Sequence, residues 1–179
     1  RGRPSNKVKN DVSGITEDML DAFREETFFE YQIAIWNIKN DPGFNWMRFY
    51  LKSRQIGLTY YFAYEAFEDA VLNGDNQVFL SASKKQSEIF KNYIRMFALK
   101  IGEVDLKGKD EITLGNGATF YLLSTDSRTA QGFNGHLYID EVFWIPRCKE
   151  LDDLAGGMSM NSKWRTTYLS TPSSIAHEA

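Results

Sequence analysis

Two short stretches of this 179-residue sequence combine residue types able to hold a phosphate chain together with a hard cation. The first is Lys52-Ser53-Arg54-Gln55-Ile56-Gly57-Leu58-Thr59. Phosphate binds where a loop of backbone N–H groups enters a helix, because the first turn leaves donors without partners and the helix dipole is positive there. Against the phosphate-loop pattern G-x-x-x-x-G-K-[ST], the second glycine is Gly57 and the hydroxyl is Thr59, but Leu58 fills the lysine slot and Lys52 the first glycine slot. A loop wrapped around phosphates brings its first residue near its last, so Lys52 can deliver the ammonium that Leu58 cannot. Arg54 is a second cation able to share or take that role. Alone, the octapeptide fits equally well an ordinary βα turn in which Gly57 relieves strain and Lys52 and Arg54 are solvated.

The second stretch is Leu137-Tyr138-Ile139-Asp140-Glu141, an apolar strand that delivers two adjacent carboxylates at its C-terminal end, where ligands bind in open α/β sheets. This is a Walker B pattern. There Asp140 is suited to orient water on Mg2+, with the Thr59 hydroxyl also touching the metal. Glu141 is suited to position and deprotonate the water that attacks a γ-phosphate. The plainer reading, a polar loop start, loses ground because the two acids follow a buried strand downstream of a phosphate loop. Two more stretches are weaker. Tyr168-Leu169-Ser170-Thr171-Pro172 sets the hydroxyls of Ser170 and Thr171 after another buried strand, suited to a γ-phosphate or simply to a turn. Phe28-Phe29-Glu30-Tyr31-Gln32 offers an aromatic platform and, in Gln32, an amide matching the adenine edge; a helix packing its aromatics in the core explains it too.

The elements needed to position these residues are legible. Thr16 followed by Glu17 and Asp18 caps one helix, and a second covers about 29–39 before Asp41-Pro42-Gly43 breaks it. Trp46 to Leu51 reads as a strand, followed by the loop and by a helix whose apolar residues Phe62, Ala66, Phe67, Ala70 and Val71 recur at helical spacing up to Gly74. Gln77 to Ser81 is a second strand, and Phe90, Tyr93, Ile94, Phe97 and Ile101 mark a helix that stops at Gly102. The alternation implies a parallel sheet. Stretches 111–114 and 118–123 flank Gly115-Asn116-Gly117 and predict a hairpin inserted or added at an edge, and strands follow at 136–139 and 166–170.

Composition bounds the rest. A hydrophobic share of 42% with 25% charged residues of both signs gives one globular core and excludes a disordered polymer. Cys148 is the single cysteine and there are two histidines, so a disulfide framework and a Cys/His zinc site are excluded and any metal must be held by oxygen. No apolar run approaches the roughly 18 residues that cross a bilayer, which predicts no membrane partner and a cytosolic address. The net charge of -3 exerts no global pull on a polyanion, so DNA would have to meet a local patch or several subunits at once. Residues 1–14 read as a flexible basic arm or linker, with Arg1-Gly2-Arg3-Pro4 also similar to the core of a minor-groove AT-hook. Residues 15–179 form the domain proper, and the opening on Arg1 suggests a piece of a longer polypeptide.

The motifs in this order resemble the ATPase domain of phage large terminases, the P2-type large subunit above all, over about Ile15 to Ser174. The likeness is carried by Phe29-Glu30-Tyr31-Gln32, Lys52 to Gly57, Gln77 to Ser83, Thr129-Ala130-Gln131-Gly132-Phe133, Leu137 to Trp144 and Leu169-Ser170-Thr171-Pro172. The resemblance implies a P-loop NTPase fold of the RecA-like, ASCE kind: a three-layer α/β sandwich with a mainly parallel central sheet. It implies ATP and Mg2+ as cofactors, Gln32 at the adenine, Lys52 to Thr59 as the Walker A loop, Asp140 and Glu141 as the Walker B pair, and Ser170-Thr171-Pro172 as the motif coupling hydrolysis to motion. Some such proteins also have lysine at the loop's start and none before the Thr, which leaves Lys52 and Arg54 both open. The implied partners are double-stranded DNA, further copies in a ring, a small terminase subunit and a portal protein, in the cytoplasm of an infected bacterium. Arg128 is a candidate finger for a neighbouring copy or a solvated loop arginine, and a DNA-cutting nuclease domain is implied beyond these residues. Two other functions fit parts of the pattern: a helicase-like translocase, and a DNA-binding assembly module that uses no nucleotide.

Overall fold

The computed structural model describes residues 7–43, 47–53, 57–124, 133–141 and 163–172. Helix α1 (Glu17–Thr27) begins as the sequence predicts, with the Thr16 hydroxyl accepting from the Met19 N–H at 3.3 Å and Glu17 and Asp18 facing the positive end of the dipole. Helix α2 (Glu30–Asn40) leads through 41–43 toward strand β1 (Met47–Leu51). Helix α3 (Leu58–Asn73) is buried over most of its circumference, from Tyr61 through Ala70, because it is enclosed by the sheet and the other helices. Gly74, at φ 69°, ends it in the left-handed conformation glycine adopts without penalty.

Strand β2 (Gln77–Ser81) leads to helix α4 (Lys84–Gly102), capped by Ser83 and burying Phe90, Ile94, Phe97 and Ala98. The helix runs through Gly102, and Glu103 at φ 53° takes the left-handed position. Gly102 instead answers a steric demand, since a Cβ there would lie 2.4 Å from Ile15 Cγ1. Strands β3 (Glu111–Thr113), β4 (Thr119–Ser124), β5 (His136–Asp140) and β6 (Thr166–Ser170) complete one six-stranded sheet in the order β1-β6-β5-β2-β4-β3. All neighbours are parallel except β3 and β4. The expected hairpin is therefore only half an addition: β4 is a full member of the parallel sheet, and β3 alone extends it.

The four helices among the described residues share the main core with one face of the sheet, through Phe79, Phe120, Tyr138 and Leu169. Val78, Leu80, Leu137, Ile139 and Tyr168 form a smaller apolar cluster on the other face. In the stretch read as a flexible arm, Arg1 to Pro4 lie outside the described residues. From Asn10 onward it is fastened: Asn10 donates from Nδ2 to the Lys107 and Thr113 carbonyls, each at 2.8 Å, and accepts from the Lys107 N–H, while Val12 joins the core.

Candidate functional site

Five parallel strands end at the same side of the sheet, and three of them carry the polar residues singled out in the sequence. β1 runs on into Lys52, whose N–H donates to the Ser170 carbonyl of β6 at 2.9 Å. Gly57, at φ 74°, caps α3 and turns the chain so that Thr59 stands in the first helical turn. β5 ends at Asp140, fully buried, and Glu141 follows at φ 54°, a strained conformation for a residue with a Cβ. β6 ends at Ser170, with Thr171 next.

These residues meet. Lys52 Nζ donates to Asp140 Oδ1 at 2.8 Å and to Thr59 Oγ1 at 3.2 Å, and lies 3.5 Å from Glu141 Oε1. The Thr59 hydroxyl donates to Asp140 Oδ2 at 3.2 Å, and the Glu141 N–H donates to Asp140 Oδ1 at 2.9 Å. Thr171 gives two donors to Glu141 Oε2, its N–H at 3.2 Å and its hydroxyl at 2.9 Å. One ammonium thus faces two carboxylates at a helix N-terminus, leaving a net negative charge beside donors that favour anions. Such a pairing suits an anion that arrives with its own divalent cation.

A cleft of about 710 Å³ opens over this cluster. Lys52, Ser53, Gly57, Thr59, Glu141 and Thr171 line one side of it, while Lys85, Gln86, Ile89 and Tyr93 of α4 line the other with Tyr60. The size suits a nucleotide-sized ligand. The α4 wall was absent from the sequence reading, although Ser83 caps a helix whose N-terminus must open on the same side of a parallel sheet as that of α3. Leu58 is 4% exposed and its side chain belongs to the core, so this slot offers the cleft mainly backbone. Ser170 is fully buried and its hydroxyl donates to the Thr171 carbonyl at 3.0 Å. Arg54, Gln55, Ile56 and Arg128 lie outside the described residues.

Gln32 is placed differently from a ligand-facing amide. It is 2% exposed, accepts from the Phe29 N–H at 2.9 Å through Oε1, and donates from Nε2 to the Gly57 carbonyl at 3.1 Å. It ties the start of α2 to the glycine that turns the loop. Among the described residues no group of three or more His, Cys, Asp or Glu side chains could hold a metal, and no helix is long and apolar enough to cross a membrane.

Strand order, the left-handed glycine before α3 and the convergence of Lys52, Thr59 and Asp140 define a P-loop NTPase-like α/β domain. The fold is similar to that of the large terminase of bacteriophage HK97, at a TM-score of 0.69 and 16% identity over 87% of this chain and 38% of that one. Residues 49–179 match the family described as terminase large subunit, T4likevirus-type, N-terminal, and the chain belongs to that family. It is 50% identical over 173 residues to the probable terminase ATPase subunit of Haemophilus phage HP1, strain HP1c1, covering 97% of this chain. To the terminase ATPase subunit of Escherichia phage P2 it is 46% identical over 172 residues, covering 96% of this chain. It spans 28% of the length of each of these two relatives.

Proposed function

We propose that this chain is the ATPase motor domain of a viral DNA-packaging terminase, binding ATP with Mg2+ in the cleft and hydrolysing it to drive double-stranded DNA into a procapsid. The observation that carries the proposal is the meeting of Lys52, Thr59, Asp140 and Glu141, drawn from three elements, under one cleft. Its terminase relatives bear the name ATPase subunit.

The donor set fits magnesium. It consists of carboxylate and hydroxyl oxygens, and the Lys52 ammonium already stands as a cation between Thr59 and Asp140. A magnesium ion is ordinarily held by one or two carboxylates with phosphates and waters, so a larger acidic cage is not required. Thr59 and Asp140 would hold it, and when bound it supplies neutralisation of charge shared between the β- and γ-phosphates. With the metal in place Lys52 would be the cation for the phosphate oxygens, with Arg54 as a second candidate for that contact. The loop from Lys52 through Ser53, Arg54, Gln55, Ile56, Gly57 and Leu58 to Thr59 acts as the Walker A loop. The backbone N–H groups that open α3 would face the phosphates. Asp140 and Glu141 act as the Walker B pair.

Glu141 orients the attacking water and takes its proton. Thr171 donates twice to Glu141 Oε2, which ties the turn after β6 to the carboxylate and leaves Oε1 as the oxygen that takes the proton. That gives Ser170-Thr171 a route by which the state of the phosphates reaches a moving segment. Gln32 acts on the adenine side indirectly, through its hold on Gly57. The working unit we propose is a ring of copies on a portal protein, fed by a small terminase subunit in the cytoplasm of the infected bacterium. Arg128 is a candidate to complete a neighbour's site, and DNA cleavage is assigned to a nuclease domain elsewhere in the polypeptide. The test is ATP turnover by the intact protein with DNA and Mg2+. Asp140→Asn is expected to lower it by about 10²-fold or more, and an unaffected rate would remove the cleft from the chemistry.

A further inference from the structure

Beneath the cleft lies a buried carboxylate that belongs to none of the motifs. Glu65 of α3 is 0% exposed and accepts four hydrogen bonds. Arg48 of β1 donates to both oxygens, from Nη2 to Oε1 at 2.5 Å and from Nη1 to Oε2 at 3.0 Å. The Tyr138 hydroxyl of β5 adds a bond to Oε1 at 2.9 Å, and the Tyr61 hydroxyl adds one to Oε2 at 3.0 Å. Arg48 directs two further donors to Thr167 Oγ1 of β6, from Nε at 3.1 Å and from Nη2 at 2.7 Å.

The partners form one row. Arg48 pairs in register with Thr167, and Thr167 with Tyr138, so the cluster is a single rung across β1, β6 and β5 with α3 laid over it. Side chains two residues apart on a strand face the same way. The same face therefore carries Lys52 above Arg48, Asp140 above Tyr138 and Thr171 above Thr167. On α3, Glu65 is six residues beyond Thr59, a distance of about 9 Å along the axis. The four elements that the rung joins are thus the four that deliver Lys52, Thr59, Asp140 and Thr171.

Burial alone does not explain such a cluster, because an apolar set of the same volume often serves stability equally well. Burial works against ionisation of Glu65, but the Arg48 charge and its hydrogen bonds outweigh it and hold the carboxyl well below the usual carboxylate range. Burial also pushes the Tyr61 and Tyr138 phenols up, and the neighbouring carboxylate pushes them further, so both stay protonated donors. What the cluster adds to an apolar filler is direction: each bond fixes the rotation and axial position of one element against α3.

We infer that Glu65 is a positioning residue for the cleft, locking β1, β5, β6 and α3 in lateral register so that Lys52, Thr59, Asp140 and Thr171 converge. The inference rests on the reading of the cleft as a nucleotide site. It is tested in the intact protein with the double variant Arg48→Met/Glu65→Leu, which removes both charges together, and with Tyr138→Phe, which removes one hydroxyl. Two readouts are taken where each variant is folded: affinity for Mg–ATP by calorimetry, and hydrogen exchange in nucleotide-free protein over 57–61 against the middle of α4. The expected result for the double variant is at least tenfold weaker binding with faster exchange confined to 57–61. For Tyr138→Phe it is about threefold weaker binding with the same local pattern, so the test stands even if the double variant does not fold. Unchanged affinity, or exchange that quickens equally in α4, makes the cluster merely stabilising and overturns the inference. Absence of nucleotide binding by the wild type instead removes the nucleotide reading, and the exchange pattern still decides whether Glu65 fixes the start of α3.

Discussion

Asp140 accepts from Lys52, Thr59 and its own neighbour's N–H, so a single buried side chain joins three parts of the sequence. The proposed division of labour there has separable consequences. Glu141→Gln keeps the shape of the side chain but not its basicity. Turnover is expected to fall by about 10²- to 10⁴-fold while the dissociation constant for Mg–ATP stays within about threefold. Lys52→Met removes a charged donor from the phosphates, and calorimetry is expected to show binding weakened by about tenfold or more. Unchanged affinity would hand the contact to Arg54. The types and order of these residues were legible because a strand end followed by acids, and a glycine followed by a hydroxyl, each carry a local pattern. The bond from Thr171 to Glu141 was not, since it depends on two strand ends brought side by side. Nor did the sequence reveal that the Gln32 amide is engaged at both ends.

The Thr16 cap and the breakers after the apolar stripes placed the helix ends that were read within about a residue, since these signals are properties of neighbouring residues. What was not legible at these ends is tertiary. α4 ends at Gly102 as read, but Glu103 takes the left-handed position, and Gly102 answers the close passage of Ile15. Gly102→Ala is therefore expected to cost about 1–3 kcal/mol in urea unfolding, more than a glycine-to-alanine change on an open helix surface. Asn10 was read as linker, yet its amide and carbonyl serve Lys107, Thr113 and Gly115. Asn10→Ala is expected to cost about 2 kcal/mol or more, as buried backbone groups lose their partners. β4 passed for half of an added hairpin because a short turn to β3 is a local signal, whereas its parallel pairing with β2 is not.

Across the whole molecule, the polar side chains of the cleft gather at one end of the sheet and a histidine is buried at the other. His136 accepts from the Arg165 N–H at Nδ1 and lies 3.2 Å from Asp75 through Nε2, an arrangement that suits the neutral ring. Burial, with the Arg165 charge adding to it, pushes its pKa down to about 4 against the pull of Asp69 and Asp75. The unfolded chain takes up that proton near pH ~6.5 and the folded chain only near 4, so acid favours unfolding throughout that interval. Urea unfolding is expected to lose about 2 kcal/mol between pH 7 and 5, and His136→Gln is expected to flatten that slope. Parallel order and fold class were readable from the alternation of strands and helices. Which strands lie side by side, and hence which residues share the cleft, needed the closed sheet.

The proposed chemistry requires a metal and a nucleotide to sit together beside Thr59 and Asp140. Crystals grown with a non-hydrolysable ATP analogue and Mn2+ give the metal position directly from its anomalous signal. One peak is expected within coordination distance of the Thr59 hydroxyl, close to Asp140, with the Lys52 ammonium on the phosphates. A nucleotide bound elsewhere, or a metal peak remote from Thr59 and Asp140, would contradict it.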